Sequence, residues 1–295
     1  MSQVQKFKQA IGKAASYARA RRALLKYDLK LAIRNVTNFL RRQAPAKGII
    51  QNRVPVRTIR RIMKRRNLAI YHGDLSWWYT WAYERGDTDP LTNYALAYIR
   101  EQITKDASIL ITGCGTGISL FHLIDAGFAR VDGFDYLEPC VIVDNDIAKI
   151  GNYKCHIWQA DGFSPKLEHS YDVVLAQRWV YSAWGGNYEN QAIPYEQAKT
   201  AVKREELLTD FISQYAPHMN PGGVLIVELI DAVADYRVSL DYGRSYPLDT
   251  VYPVRHTPEQ VASCAQRTGF EVVDYKLSTN NPQPTTCYIL RKSNQ

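Results

Sequence analysis

The chain has 295 residues, of which 46% are hydrophobic and 22% are charged, values of an ordinary globular protein with one large domain or one domain and an appendage. Residues 1–66 hold 19 Lys or Arg and one acid, Asp28, a net charge of +18, whereas the remaining residues carry −10. No apolar run approaches the about 18 residues of a membrane span, and the five cysteines form no C-x-x-C pair. We therefore expect a cytoplasmic protein with no transmembrane segment, secretory signal, disulfide framework or metal site.

Residues 1–66 are predicted to form a basic helical arm. Apolar residues recur every three or four positions, as on one face of a helix, from Val4 to Ala18 and again from Leu25 to Leu40. This density of positive charge attracts polyanions. The alternative partners are an anionic membrane surface, which would place the protein at a membrane, an acidic protein, and RNA.

Residues 67–107 are predicted to form aromatic-rich helices that cap the following domain. Six Trp or Tyr residues occur within Tyr71–Tyr83. The i, i+4 spacing of Trp77 and Trp81 is typical of a buried helical face. The alternative is a lid in which Tyr71 or Trp78 covers a ligand.

Residues 108–295 alternate between apolar strands and amphipathic helices. The predicted strands are Ser108–Thr112, Val131–Asp135, Lys154–Trp158, Tyr171–Gln177, Gly223–Leu229, Phe270–Leu277 and Thr285–Arg291. The predicted helices are Pro90–Thr104, which leads into this domain, Gly117–Ala126, Leu137–Ile150, Tyr195–Tyr215 and Pro258–Arg267. Repeated β-α units with apolar strands predict a doubly wound α/β domain with a mainly parallel sheet. The last two strands are close in sequence and predict an antiparallel hairpin at one edge.

A glycine-rich turn follows the first core strand. Gly113, Gly115 and Gly117 lead from that strand into a helix, and glycine lets a ligand approach the backbone closely. The new helix presents free N–H groups to an anion. Asp135 ends the next strand roughly 20 residues later, the spacing of a ribose-binding acid. A tight junction without a ligand and a dinucleotide site are the alternatives, although G-x-G-x-G differs from the dinucleotide fingerprint.

Four segments downstream extend the pattern. They are Ala160–Gly162 after the third strand, Tyr171–Gln177, Pro221–Glu228 and Thr257–Tyr275. In this order and spacing, the motifs resemble those of the class I (Rossmann-like) S-adenosylmethionine-dependent methyltransferase family, over about Tyr71 to Arg291. The resemblance implies a Rossmann-like, seven-stranded sheet that binds S-adenosylmethionine at the carboxyl ends of its strands.

The resemblance also assigns cofactor-binding residues. Those at the methionine end are Gly113, Cys114, Gly115 and Gly117; at the ribose, Asp135; at the adenine, Tyr136, Asp161 and Gly162; and under the sulfonium, Gln177. The family often has an acid two residues before the first glycine, where this chain has Ile111. Another group, such as a backbone carbonyl near Gly113, must then orient the cofactor ammonium.

The acceptor site is less visible in the sequence, because methyl transfer depends mainly on alignment and on exclusion of water. The segment after the fourth strand lacks the Asn/Asp-Pro-Pro-Tyr/Phe and Pro-Cys motifs that mark base-modifying members of the family. Candidate substrate-binding residues are Arg178, Trp179 and Tyr181 in this segment, with Trp184 and Tyr188 as further aromatics, and Tyr242 with Arg244 in the insertion 231–255. His256 is the candidate general base.

Three hypotheses follow. The first is a methyltransferase acting on an oxygen or nitrogen of a small molecule. The second is an RNA or protein methyltransferase positioned by the basic arm. The third is a non-catalytic binding or scaffold protein with the methyltransferase fold, which the residue at Ile111 makes conceivable.

Overall fold

The computed structural model describes residues 53–66, 75–85, 90–184, 198, 200–232, 237–240, 244–247, 252–278 and 284–294. The chain divides into two compact units. The first comprises Met1–Lys47 and Ser239–Ser245, and the second comprises Gly48–Val238 and Tyr246–Gln295. The second unit contains the large sheet and its helices. The predicted boundaries after residues 66 and 107 stay predictions.

The helices and strands are as follows. The strands are β1 (Ser108–Thr112), β2 (Arg130–Asp135), β3 (Ile157–Gln159), β4 (Tyr171–Ala176), β5 (Met219–Ile230), β6 (Arg237–Leu240), β7 (Arg244–Pro247), β8 (Phe270–Ser278) and β9 (Thr285–Lys292). The α-helices are α1 (Val56–Arg66), α2 (Leu75–Arg85), α3 (Pro90–Gln102), α4 (Ile118–Asp125), α5 (Glu138–Gly151), α6 (Trp179–Trp184), α7 (Ala201–Tyr215) and α8 (Pro258–Arg267).

Seven strands form one sheet in the order β3-β2-β1-β4-β5-β9-β8. β1 to β5 run parallel, and β9 is antiparallel to both β5 and β8. This topology confirms the predicted doubly wound, mostly parallel sheet with an antiparallel edge. The strand order reverses between β1 and β4, and open α/β sheets bind ligands outside the carboxyl ends of the strands at such a point.

The central strands are buried on both faces. Along β1, Ile109 and Ile111 belong to one apolar cluster, which includes Phe121 of α4. Leu110 points to the opposite face and belongs to a second cluster, which includes Phe211 of α7. Alternate side chains of a strand point to opposite faces. The continuous apolar run of β1 therefore reflects helices packed on both sides of the sheet.

Several predicted boundaries were wrong. β5 begins at Met219 rather than Gly223, because Pro221 to Gly223 form an irregularity inside the strand and not a turn before it. The pairing of β5 with β4 shifts register there, and Gly222 has a φ of +73°. β3 begins at Ile157 rather than Lys154.

The helix predicted from Tyr195 begins later, at Ala201. Thr200 has an extended backbone, and its hydroxyl accepts a hydrogen bond from Lys203 N, so it is the N-cap. α6, β6 and β7 were not predicted. β6 and β7 pair as a two-stranded sheet within the segment 231–255, which the sequence marked only as an insertion.

α1, the last part of the predicted basic arm, is an amphipathic helix. Ile59, Ile62 and Met63 are buried in the apolar core, whereas Arg57, Arg61 and Lys64 are exposed. At the C-terminal end, Arg66 donates from Nε and Nη2 to the Asp146 carboxylate of α5, each at 2.7 Å. The apolar face of α1 is therefore used by the protein core. Residues 1–52 lie outside the described residues, so the rest of the arm stays a prediction.

The described helices include none that is both long enough and apolar enough to cross a bilayer.

Candidate cofactor and substrate site

The glycine-rich turn connects β1 to α4 at the carboxyl edge of the sheet. Gly113, Gly115 and Gly117 have φ values of +61°, +59° and +65°. Residues with a Cβ avoid this left-handed region, which costs them about 1–2 kcal/mol. The alternating glycines therefore allow a backbone path that other residues would resist. Cys114 N donates to the Phe134 carbonyl at 2.9 Å, which joins the turn to the end of β2.

Asp135, the last residue of β2, accepts a hydrogen bond from the backbone of the turn. Its Oδ2 accepts a hydrogen bond from Gly115 N at 2.7 Å, and its Oδ1 accepts one from Leu137 N at 2.8 Å. The side chain is buried, and burial raises the pKa of the carboxyl to about 6, although the two backbone donors oppose this shift. Each carboxylate oxygen retains a lone pair, so a diol beside the turn can still donate to it.

Asp144 of α5 is a second buried acid beneath the turn, and the sequence analysis missed it. Its carboxyl lies 2.6 Å from the Tyr79 hydroxyl and 3.6 Å from Cys114 Sγ. A Cβ on Gly117 would come within 2.9 Å of it. Burial raises the pKa of this carboxyl well above its ordinary value, although the hydrogen bond donated by the Tyr79 hydroxyl opposes the shift. In the sequence, Asp144 lies on the apolar face of its helix, between Cys140 and Ala148. An acid at such a position was the signal that could have identified it.

Helix α2 lies over the turn and contacts its carbonyl groups. The Tyr79 hydroxyl is 3.1 Å from the Gly115 carbonyl oxygen, and the Tyr83 hydroxyl donates to the Thr116 carbonyl at 3.0 Å. The ring of Trp78 covers Gly115, where an added Cβ would lie 3.0 Å from Cη2. α2 thus provides the contacts that a lid would need. Tyr71 and the side chains of Trp77 and Trp81 lie outside the described residues.

Trp179 forms the other wall. A Cβ on Gly113 would lie 2.4 Å from its Cδ1, and a Cβ on Gly162 would lie 2.2 Å from its Cη2. The indole therefore spans the distance between these two glycines. Its Nε1 donates to Thr112 Oγ1 at 3.0 Å, and Phe163 packs edge-on against the ring. The absence of a Cβ at Gly113 and Gly162 accommodates the protein's own tryptophan.

These walls enclose a cleft of about 210 Å³ at the point where the strand order reverses. Its lining combines the glycine turn, the ends of β1, β2 and β4, and parts of α2, α3, α4 and α6. The lining residues are Trp78, Ala82, Thr92, Ile111, Thr112, Gly113, Cys114, Gly115, Thr116, Ile118, Ser119, Asp135, Gln177, Arg178, Trp179 and Ser182. The structure therefore brings together seven of the predicted site residues, namely Gly113, Cys114, Gly115, Asp135, Gln177, Arg178 and Trp179.

Other predicted cofactor residues lie beside this cleft without lining it. Gly117 N donates to the Cys114 carbonyl at the end of the turn. Tyr136 follows Asp135, and its carbonyl accepts from Gln159 Nε2 at 3.0 Å. Asp161 Oδ1 accepts from Phe163 N at 2.9 Å, and the Gly162 carbonyl accepts from the Tyr215 hydroxyl at 2.7 Å. Their cofactor contacts stay predictions.

The candidate base His256 and the substrate candidate Tyr181 do not line this cleft. The His256 side chain is 1% exposed, and its Nε2 is 2.8 Å from the Arg204 carbonyl. Burial lowers the pKa of this histidine to about 4, so its imidazole is neutral at pH 7. Tyr181 is buried, with its ring edge-on to Tyr252. Tyr242 lies outside the described residues.

A larger groove, about 750 Å³, opens at the opposite edge of the sheet, near the amino ends of β1, β2 and β4. Its lining mixes both signs of charge, with Arg130 and Lys154 beside Asp132 and Asp172. The Asp172 carboxylate already accepts from Ser108 N at 2.7 Å. Parallel sheets bind ligands at the carboxyl ends of their strands, so the smaller cleft is the candidate site.

No protein-family model and no curated protein sequence matches this chain. The fold is similar to that of magnesium protoporphyrin IX methyltransferase from Synechocystis PCC 6803 with bound S-adenosylhomocysteine, with a TM-score of 0.50, 14% identity, and coverage of 79% of this chain and 94% of that one. It is also similar to 1,6-didemethyltoxoflavin-N1-methyltransferase from Burkholderia thailandensis, with a TM-score of 0.50, 14% identity, and coverage of 77% and 92%.

TehB from Haemophilus influenzae gives the same TM-score of 0.50 at 14% identity, with coverage of 75% of this chain and 68% of that one. At such identity the likeness is one of fold. The chain has the fold of the class I S-adenosylmethionine-dependent methyltransferases, as its sequence motifs predict.

Proposed function

We propose that this chain is an S-adenosylmethionine-dependent methyltransferase whose acceptor is an oxygen or nitrogen atom of a small molecule. The observation that carries the proposal is the contact between Asp135 and Gly115 N, because it places a carboxylate beside the glycine turn that lines the cleft. Two of the similar structures contain S-adenosylhomocysteine, and one of them also contains a small molecule, 1,6-didemethyltoxoflavin.

The residues of the cleft fit this cofactor. The turn from Gly113 to Gly117 lies beside the first turn of α4, where backbone N–H groups favour a carboxylate. The lone pairs left on Asp135 suit the two ribose hydroxyls. Tyr136, Asp161 and Gly162 follow the neighbouring strands on the side where the adenine would lie. When bound, the cofactor supplies an electrophilic methyl group on a sulfonium.

The chain's own contribution is alignment and exclusion of water. Displacement at a methyl carbon requires the acceptor atom to lie in line with the breaking bond. Such positioning can supply much of the reduction in the activation free energy. Trp179 and Arg178 line the cleft and are the proposed acceptor-side residues. A base is needed only for an acceptor that arrives protonated, and the role predicted for His256 stays a prediction.

The cleft must enlarge when it binds a ligand. Its volume of about 210 Å³ is below the roughly 300–1,000 Å³ of small-molecule sites. Trp78 is the covering residue best placed to move, because it is only half-buried and belongs to the helix that lies over the turn. We propose that α2 acts as the lid.

The partner of the basic segment, whether a membrane surface, an acidic protein or RNA, stays a prediction, as does the cytoplasmic location. A helix at a lipid interface inserts its apolar face into the bilayer. The apolar side chains of α1 are buried in the protein, so α1 offers an anionic partner only its positive charges. This arrangement favours neither RNA nor a protein as the methyl acceptor.

Binding of S-adenosylhomocysteine, measured by titration calorimetry, tests the proposal. Replacing Asp135 with Ala removes a charged hydrogen-bond acceptor and should weaken binding by about 1–3 kcal/mol. Asp106→Ala is the matched control, since this exposed acid precedes β1 at the opposite edge of the sheet. A folded wild-type protein that binds no S-adenosylhomocysteine would contradict the proposal and favour a non-catalytic protein.

A further inference from the structure

The side chain of Gln177 presents an unused hydrogen-bond donor. This residue follows β4 and lines the cleft, and its Nε2 atom is buried with no hydrogen-bond partner. Buried polar groups in folded proteins nearly always have a partner, and an unsatisfied donor calls for an explanation such as a ligand. The amide carries two hydrogens and requires an acceptor.

Arg178, the next residue, also lines the cleft and carries a positive charge. Its backbone has a φ of +62°, which is unusual for a residue with a side chain, and Trp179 N donates to the Gln177 carbonyl across it at 2.7 Å. Strained backbone of this type is found preferentially at functional sites. Its Nη2 donates to Thr92 Oγ1 at 3.2 Å, and Thr92 is itself buried, so the guanidinium is held at the cleft wall.

The other charges of the cleft complement these donors. Among the cleft-lining residues that the structure describes, Arg178 is the cation and Asp135 is the acid. Both oxygens of Asp135 already accept backbone hydrogen bonds. The wall near β4 therefore offers donors and positive charge, and its complement is an anion.

We propose that Gln177 Nε2 and the Arg178 guanidinium form a carboxylate-binding subsite. The subsite rests on the proposed function, and it would bind either the carboxylate of the cofactor's methionine end or a carboxylate on the acceptor. Guanidinium and carboxylate form two parallel hydrogen bonds, and the glutamine amide adds a third donor. Recognition of the amino-acid end would then depend on its carboxylate.

The test compares S-adenosylhomocysteine with 5′-methylthioadenosine, which keeps the nucleoside and lacks the amino-acid end. Both are titrated by calorimetry into the wild type, Arg178→Met, Gln177→Glu and the exposed control Lys166→Met. We expect Arg178→Met to weaken S-adenosylhomocysteine about 10- to 100-fold and to leave 5′-methylthioadenosine unchanged. Gln177→Glu keeps the shape and adds a negative charge, so it should weaken S-adenosylhomocysteine alone.

A different pattern of affinities is expected if the bound carboxylate belongs to the acceptor rather than to the cofactor. In that case Arg178→Met binds S-adenosylhomocysteine like the wild type, and benzoate titrated into the S-adenosylhomocysteine-saturated protein binds the wild type but not the variant. Equal losses for both nucleosides, or no difference between variant and wild type for any of these ligands, would overturn the subsite. A wild type that binds neither nucleoside would refute the proposed function instead.

Discussion

The two sides of the glycine turn are built by different forces. On the side of α2 and α5, the turn is held by directional hydrogen bonds to Asp135, Tyr79 and Tyr83, with Asp144 beneath. On the side of α6, one indole ring fills the space between Gly113 and Gly162. A lost hydrogen bond costs about 0.5–1.5 kcal/mol, whereas an atom added to a closely packed site costs about 1–3 kcal/mol.

This difference changes the meaning of the glycines. A glycine in such a motif is commonly explained by the approach of a ligand. Here Gly113 has an internal reason as well, because Trp179 occupies the space that a Cβ would need. Variants of the two sides should therefore differ in size of effect and in their dependence on Trp179.

The largest effect is expected for Gly113→Ala. The new Cβ would meet Trp179 at 2.4 Å on a backbone with a φ of +61°. Overpacking costs about 1–3 kcal/mol and the left-handed backbone about 1–2 kcal/mol, so urea unfolding should show a loss of about 2–5 kcal/mol. Gly162→Ala carries only the overpacking cost, since its Cβ meets the same ring.

Gly127→Ala is the control for this prediction. Gly127 has a φ of +94° with no atom within 4 Å of an added Cβ, so it isolates the backbone cost. In a double-mutant cycle, Trp179→Ala should relieve the loss caused by Gly162→Ala. Additive effects of these two substitutions would show that the indole does not limit the space at Gly162.

The next effect concerns Asp144 and pH. Its folded pKa is raised mainly by burial and also by the charge of Asp135, whereas the hydrogen bonds from Tyr79 and Cys114 oppose this shift. A carboxyl of this kind contributes most stability below its unfolded pKa of about 3.9, and the contribution is lost as pH rises through the folded pKa. Asp144→Asn is uncharged at every pH, and its amide oxygen can still accept from the Tyr79 hydroxyl. It should therefore gain stability relative to the wild type as pH rises above about 3.9, by at most about 1.4 kcal/mol per pH unit, until the folded pKa is passed.

Asp144→Leu serves as the counterpart, because leucine has the same number and branching of side-chain heavy atoms but no hydrogen-bonding group. It should lower the free energy of unfolding at a pH of about 3.9, where Asp144→Asn stays close to the wild type. If the stability difference between Asp144→Asn and the wild type were independent of pH, Asp144 would not be a neutral acid in the fold.

The smallest effect is expected for Tyr83→Phe. This change removes the hydrogen bond to the Thr116 carbonyl and nothing else, and a single hydrogen bond contributes about 0.5–1.5 kcal/mol. Chemical denaturation measures the loss, with Tyr275→Phe at an exposed position of β8 as control. If the loss of unfolding free energy is no larger than that of the control, the Tyr83 hydroxyl does not stabilise the turn.

Sequence reasoning succeeded where the information is local. The apolar run Ser108–Thr112, the glycines after it and Asp135 are separated by short distances along the chain, and strand, turn and helix preferences act over such distances. The same reasoning failed at β5, where Pro221 to Gly223 have the composition of a turn and yet lie inside a strand. Pairing with β4 decided this, because tertiary hydrogen bonds override local preference.

The sequence by itself determined the doubly wound fold and the position of the glycine turn beside Asp135, because alternating periodicity and turn chemistry are written in consecutive residues. Tertiary structure alone decided that Asp144 and Tyr79 meet beneath that turn, that Trp179 explains two glycines 49 positions apart in the numbering (Gly113 and Gly162), and that His256 does not line the cleft. These arrangements depend on which helices and strand ends pack together. Burial and packing are properties of the folded chain as a whole, so no local pattern encodes them.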